Sequence, residues 1–209
     1  MHISKQLFFL ALLFSLSLAS CSSEADPNAK KWVQMTGREP ERIPLYRIRI
    51  PENWTVALPP SDEPLTDSRK ALCEMTIDQA IRLTIHNFPA AASDQRIPPQ
   101  AQIQRWMQQL KDSDPTRTLI TPQSFSGYAG LLLEAEGKMD EEPAAVMGWA
   151  LQIGTEQVRI LSHSGMPEQM RADITIKATG PPEQIALRRS EITRAARSFE
   201  LIEEIPAPR

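Results

Sequence analysis

Leu45-Tyr46-Arg47-Ile48-Arg49-Ile50-Pro51-Glu52-Asn53-Trp54 is the stretch whose reading decides the fold. Apolar Tyr46, Ile48 and Ile50 alternate with charged Arg47 and Arg49. Successive side chains of a strand point to opposite faces, so this alternation describes a strand with one buried and one wet face. Pro51 and the residues after it turn the chain into a second extended piece. The fold begins as sheet.

Downstream, Pro59 to Asp67 is a polar loop punctuated by prolines. Ala71 to Ile77 and Ala80 to Phe88 alternate again and read as a hairpin. Pro89 to Pro99 is loop, after which Ile103, Trp106, Met107 and Leu110 recur at the spacing that lines one face of an α-helix. Asp112-Ser113-Asp114-Pro115 ends that helix, because proline restricts the residue before it and cannot continue the turn.

The chain is then strand-rich, with segments Ser124 to Ser126, Tyr128 to Glu136, Ala144 to Ile153, Glu156 to Ser164 and Ala172 to Ala178. Gly137 through Pro143, Gly154-Thr155 and Gly165-Met166-Pro167-Glu168 supply the turns. Such short links favour antiparallel pairing. Gly180-Pro181-Pro182-Glu183 opens a second helix that turns Ile185, Ile192, Ala195, Ala196 and Phe199 toward the core. The expected class is α+β, a mainly antiparallel sheet flanked by helices.

Upstream, Met1 to Gln6 is short, polar and carries Lys5, and Leu7 to Leu18 is apolar. A bilayer span takes roughly 20 apolar residues, and this run stops short of Ser22-Ser23-Glu24-Ala25-Asp26. It reads as a signal peptide over residues 1–20. Leu18-Ala19-Ser20-Cys21 resembles the lipobox of bacterial lipoproteins, an aliphatic residue and two small residues before the cysteine that receives lipid. That resemblance implies cleavage before Cys21 and two or three fatty chains on it; two chains anchor a domain stably where one holds only reversibly. Ser22, where lipoproteins kept in the inner membrane often carry aspartate, implies the periplasmic face of an outer membrane. Residues 21–31 then form the lipidated N-terminus and tether, and 32–209 one domain.

The strand that opened this section also resembles a family signature. Tyr46-Arg47-Ile48-Arg49-Ile50-Pro51-Glu52-Asn53-Trp54 is similar to the strand, proline and tryptophan that open PsbP-like domains. The order after it is similar too: a strand pair, an amphipathic helix, antiparallel strands containing Trp149, and a last helix closing on Ser198-Phe199. The resemblance covers about residues 43–201. It implies a sheet with helices on both faces, an α/β/α sandwich, and an accessory or protein-binding role, although fold alone does not fix function.

Composition narrows the function classes. The net charge of −3 and the scatter of basic residues exclude a nucleic-acid stripe. Eighteen prolines against eight glycines describe stiff connections rather than a low-complexity chain, and no glycine-rich phosphate loop occurs. With Cys21 carrying lipid, the other of the two cysteines, Cys73, has no partner within the chain and reads as a small buried hydrophobe.

The residues that bear chemistry are few. Ser162-His163-Ser164 sets a base between two hydroxyls, but neighbours on a strand face opposite ways and no Gly-x-Ser-x-Gly turn supports a nucleophile. His86 and His163 could share a metal with a carboxylate if the sheet brought them together. Glu134, Glu136, Asp140, Glu141 and Glu142 form an acidic patch around an expected hairpin tip, read as solvated or as a weak site for a cation or basic partner. Trp54, Trp106 and Trp149 read as core anchors, and Trp32 as a domain-edge residue or a contact to lipid headgroups.

Lipidation at Cys21 is thus the one site assigned, with no catalytic, cofactor or metal residue. The expected function is a non-enzymatic binding or assembly module of the cell envelope, held to the membrane by lipid and meeting an envelope protein partner. Two alternatives stay open: a small-ligand carrier with an apolar pocket between sheet and helix, and an envelope hydrolase or metal-dependent enzyme using His86 or His163.

Overall fold

The computed structural model describes residues 30–37, 44–62, 65–88, 93–154 and 173–202. Among the described residues are ten strands and two α-helices: β1 Lys30–Thr36, β2 Pro44–Pro51, β3 Thr55–Ala57, β4 Cys73–Ile77, β5 Ile81–Phe88, α1 Pro99–Gln109, β6 Leu119–Phe125, β7 Tyr128–Met139, β8 Glu142–Ile153, β9 Asp173–Gly180, α2 Pro182–Arg197 and β10 Glu200–Leu201. The class is α+β, as the alternation and helical spacing predict.

The strands form two antiparallel sheets. A small one runs β1-β2-β10 and a large one β3-β4-β5-β9-β8-β7-β6. In the large sheet two three-stranded meanders, β3-β4-β5 and β8-β7-β6, meet on either side of β9. Strand β9 pairs with β5 and with β8, so it closes the sheet by joining segments far apart in sequence.

The two faces of the large sheet differ. Met75, Leu83, Ile85, Ile176 and Trp149 join Tyr46, Ile48 and Ile50 of the small sheet and Ile185, Ile192 and Ala196 of α2 in one apolar core. On the opposite face α1 covers only β7 and β8, where Ile103, Trp106 and Leu110 pack on Leu133, Ala135, Val146 and Ala150. The layers are α1, large sheet, and then α2 beside the small sheet. Strand β8, covered on both faces, is therefore apolar nearly throughout.

Trp54 sits at the corner between the sheets and is buried. Lys31 Nζ donates to Glu52 O at 2.9 Å and Trp54 O at 3.0 Å and so holds this corner against β1. At the far end Phe199 stacks on Tyr46, with ring centroids 5.3 Å apart, and meets Tyr128 edge-on at 6.1 Å. The Ser198 hydroxyl donates to Arg49 O at 3.1 Å and accepts from Arg49 N at 2.9 Å, tying the end of α2 to β2.

Several boundaries depart from the sequence reading. Strand β1 begins at Lys30, inside the segment read as tether. Strand β6 runs from Leu119, six residues before its paired end at Phe125, although Pro122 lies within it. Proline is tolerated there because β6 is an edge strand and one side of its ladder needs no donor. The turn expected over Gly137 to Pro143 narrows to Asp140-Glu141, both at positive φ, 51° and 69°. That is the backbone a two-residue hairpin turn requires, and aspartate tolerates it better than most residues. The strand expected at Glu156 to Ser164 lies outside the described residues.

Candidate functional site

Because α1 covers only the β7–β8 end, the same face of the sheet is open, among the described residues, over β9, β5 and β4. The strands place on it the residues that alternate with their core side chains: Glu74 from β4, Arg82, Thr84, His86 and Phe88 from β5, and Thr175 and Lys177 from β9. Gln102, Arg105, Trp106 and Gln109 of α1 make one wall, and residues 57–59 with 68–71 make the other. The result is a groove of about 740 Å³. That is within the size range of small-molecule sites.

The floor is dominated by positive charge. Arg82 donates twice to Glu74, at 2.7 and 2.6 Å, so the floor's one carboxylate is already engaged. This pairing holds the Glu74 carboxyl below its ordinary value. The Lys177 ammonium donates from Nζ to Gln109 Oε1 at 2.7 Å and lies 5.9 Å from the centroid of the Trp106 ring. Burial, reinforced by Arg105 and then Arg82, pulls Lys177 from 10.5 to about 8. Arg69 and Lys70 add charge at the rim, where Arg69 pairs with Asp67 at 2.9 Å.

Apolar surface flanks the charges. Phe88, Leu58 and Ile97 line the groove, and both Leu58 and Ile97 are exposed. Behind this edge Arg96 forms a buried, two-pronged ion pair with Asp173, which also accepts from Gln152 Nε2 at 2.9 Å. The pair fastens the turn before α1 to β9 and so fixes the groove's upper wall.

The residues singled out from sequence are dispersed. His86 is on the groove floor, with Nδ1 3.3 Å from Ser68 O and its ring 6.2 Å from that of Phe88. His163 and Ser162 lie outside the described residues, as does Cys21. No group of three His, Cys, Asp or Glu side chains able to hold a metal occurs among the described residues. Of the acidic residues expected around one hairpin tip, Asp140, Glu141 and Glu142 are at the β7–β8 turn, whereas Glu134 and Glu136 lie further back along β7, and three of the five are in ion pairs. Glu134 pairs with Arg189 at 2.6 Å, Glu136 with Arg117 at 2.5 Å and Glu141 with Lys111 at 2.6 Å. Cys73 is buried and its thiol is pushed up to about 12, chiefly by burial.

Trp54, Trp106 and Trp149 are buried, as core anchors should be. Trp32 is exposed on β1, with the Arg47 guanidinium 4.8 Å from its ring centroid. The apolar pocket expected between sheet and helix is absent at the Trp106 contact, because the indole fills that space; the cavity lies beside the helix instead. Lys177, Arg105, Arg82 and Glu74 escaped sequence reading. The alternation of β5 and β9 marks their shared facing, but not that the two strands are neighbours.

No protein-family model matches the chain, and no curated protein matches it in sequence. Among solved structures it is similar to the cyanobacterial PsbP (CyanoP) of Synechocystis sp. PCC 6803, at 11% identity and a TM-score of 0.49, over 88% of this chain and 98% of that one. It is also similar to LpqN of Mycobacterium tuberculosis, described as involved in cell envelope biogenesis, at 9% identity and 0.47, over 83% and 92%. A third is the Pseudomonas aeruginosa protein PA94, at 12% and 0.40, over 85% and 100%. Likeness at this level is one of chain path, and shared chemistry does not follow from it.

Proposed function

We propose that the protein is a lipid-anchored accessory module of the cell envelope that binds its partner in the groove beside α1 and performs no chemistry on it. The observation that carries this reading is the groove itself: an open, charged and partly apolar concavity formed by side chains of three strands and one helix. Its floor is strand and one wall is helix, with loop residues 58–59 and 68–71 on the other side, which suits a site that holds a ligand against a fixed floor.

The anchor supports the same reading. Residues 22–29 separate Cys21 from β1, and a chain of that length reaches at most about 30 Å. A domain lipidated at Cys21 stays within that distance of the bilayer, on its periplasmic face, with the groove available to envelope components. Among the described residues no helix is long and apolar enough to cross a membrane.

Photo-crosslinking in native membranes tests the proposal. A photoreactive residue replaces Ala57, exposed on the groove wall, and in a second variant Arg117, remote from the groove. A discrete adduct formed from position 57 but not 117, and lost when Cys21→Ala removes the anchor, supports the proposal. Equal labelling from both positions, or no adduct from correctly anchored protein, refutes it.

A further inference from the structure

We propose that the groove selects an anion carrying an apolar portion, with Lys177 and Arg105 receiving the phosphate or carboxylate and Phe88, Leu58 and Ile97 receiving the apolar part; this rests on the groove being the binding site. The inference starts from charge balance. Of the groove's cations, Arg82 is neutralised by Glu74 and Arg69 by Asp67. Lys177 and Arg105 make no ion pair among the described residues, and Arg105 stands close enough to raise the cost of charging Lys177.

A partly buried ammonium without a carboxylate is unfavourable, because burial removes water without supplying a counter-charge. Gln109 and Trp106 orient the Lys177 head without neutralising it. A second cation on the facing helix increases the cost. An anion placed between them would relieve both terms at once, and a guanidinium beside an ammonium suits the oxygens of a phosphate or carboxylate.

The apolar part follows from the walls. Leu58 and Ile97 are two of the few large apolar side chains left exposed among the described residues, and both line this cavity together with Phe88. A bare inorganic anion would leave them wet, whereas a ligand with an alkyl or aromatic portion would cover them. Octyl phosphate should therefore bind at least tenfold more tightly than inorganic phosphate.

Calorimetry on the full chain carrying Cys21→Ser, which removes the lipid attachment point, compares inorganic phosphate, octyl phosphate, octanoate and octanol. Octyl phosphate or octanoate binding, weakened tenfold or more by Lys177→Gln and by Arg105→Gln but not by Arg117→Gln, supports the inference; the two anions' ranking separates a phosphate from a carboxylate ligand. Octanol binding as tightly, or affinities unchanged in both groove variants, overturns it. Arg105→Gln alters an exposed side chain, so its result stands even if Lys177→Gln folds poorly. An adduct from position 57 without any anion affinity would leave the groove as the binding site and remove only the anion; failure of both removes the site.

Discussion

Trp106 lies flat against Gly148, so that a Cβ on that glycine would stand 2.4 Å from the indole Cζ3 and 2.6 Å from Cε3. This contact brings α1 close to β8 and determines how much of the sheet the helix covers. Gly148→Ala should therefore force the indole, and with it the groove wall, outward. Overpacking of this kind costs about 1–3 kcal/mol. Urea denaturation should show that loss together with a changed tryptophan emission; an unchanged midpoint would mean that α1 does not sit where described.

The Arg96–Asp173 pair is among the most enclosed charge pairs described, with side chains 10% and 7% exposed. Removing one partner leaves the other charge buried and alone, a loss of about 3–5 kcal/mol. Asp173→Asn should approach that loss in chemical denaturation. The double substitution Arg96→Met with Asp173→Leu should cost much less, because neither charge then remains. Equal losses in the single and double variants would argue against a buried pair.

Lys177 makes stability depend on alkaline pH. Its folded value, about 8, lies below the ordinary 10.5, so between the two the unfolded chain binds more protons and stability rises with pH. The cost of charging is fully present below about 8 and gone above 10.5. The groups facing the ammonium are Arg105 from α1, Arg82 and His86 from β5, and Glu74 from β4, the last already bound by Arg82. Lys177→Met should stabilise at pH 7 by on the order of 1 kcal/mol, raising Tm by about 2–4 °C, with a smaller gain at pH 10. A destabilised variant at pH 7 would show that the lysine's packing outweighs its charge.

Cys73 should be inert in the folded protein. Its thiol is buried in the core and its pKa of about 12 leaves almost no thiolate at pH 8. In a Cys21→Ala chain, an aromatic disulfide reagent at pH 8 should react only as the protein unfolds, with a rate that follows added urea. Rapid labelling without urea would place β4 at the surface.

Much of the architecture can be read from side-chain periodicity. The alternation in Leu45–Ile50, Ala71–Ile77 and Ala80–Phe88 marks strands because each has one buried face. The spacing of Ile103, Trp106 and Leu110 marks α1 for the corresponding reason in a helix. Strand β1 is harder to read, since only Val33 and Met35 are buried in it and its outer face is mixed. The turn at Asp140-Glu141 is hidden because neither residue is glycine, and Pro122 masks β6 because edge placement is not visible in one strand's sequence.

The site was far less legible. His86 could be identified by residue type, but its neighbours depend on β5 pairing with β9 across nearly ninety residues of intervening chain. Lys177 and Arg105 resemble ordinary exposed cations when each is read in its own segment. Only the half-coverage of the sheet by α1 brings them face to face over an open floor.

By itself, the sequence determined the class of the fold and the facing of residues within the strands and helix that alternate or repeat clearly. These are local properties, set by a side-chain period of two or 3.6 residues and by short runs of hydrophobicity. Tertiary structure alone decided the strand order, the insertion of β9 between the two meanders, and the exposure of one half of a sheet face. Those depend on which segments pair and on the close contact of Trp106 with Gly148, and pairing at long range leaves no period in the chain.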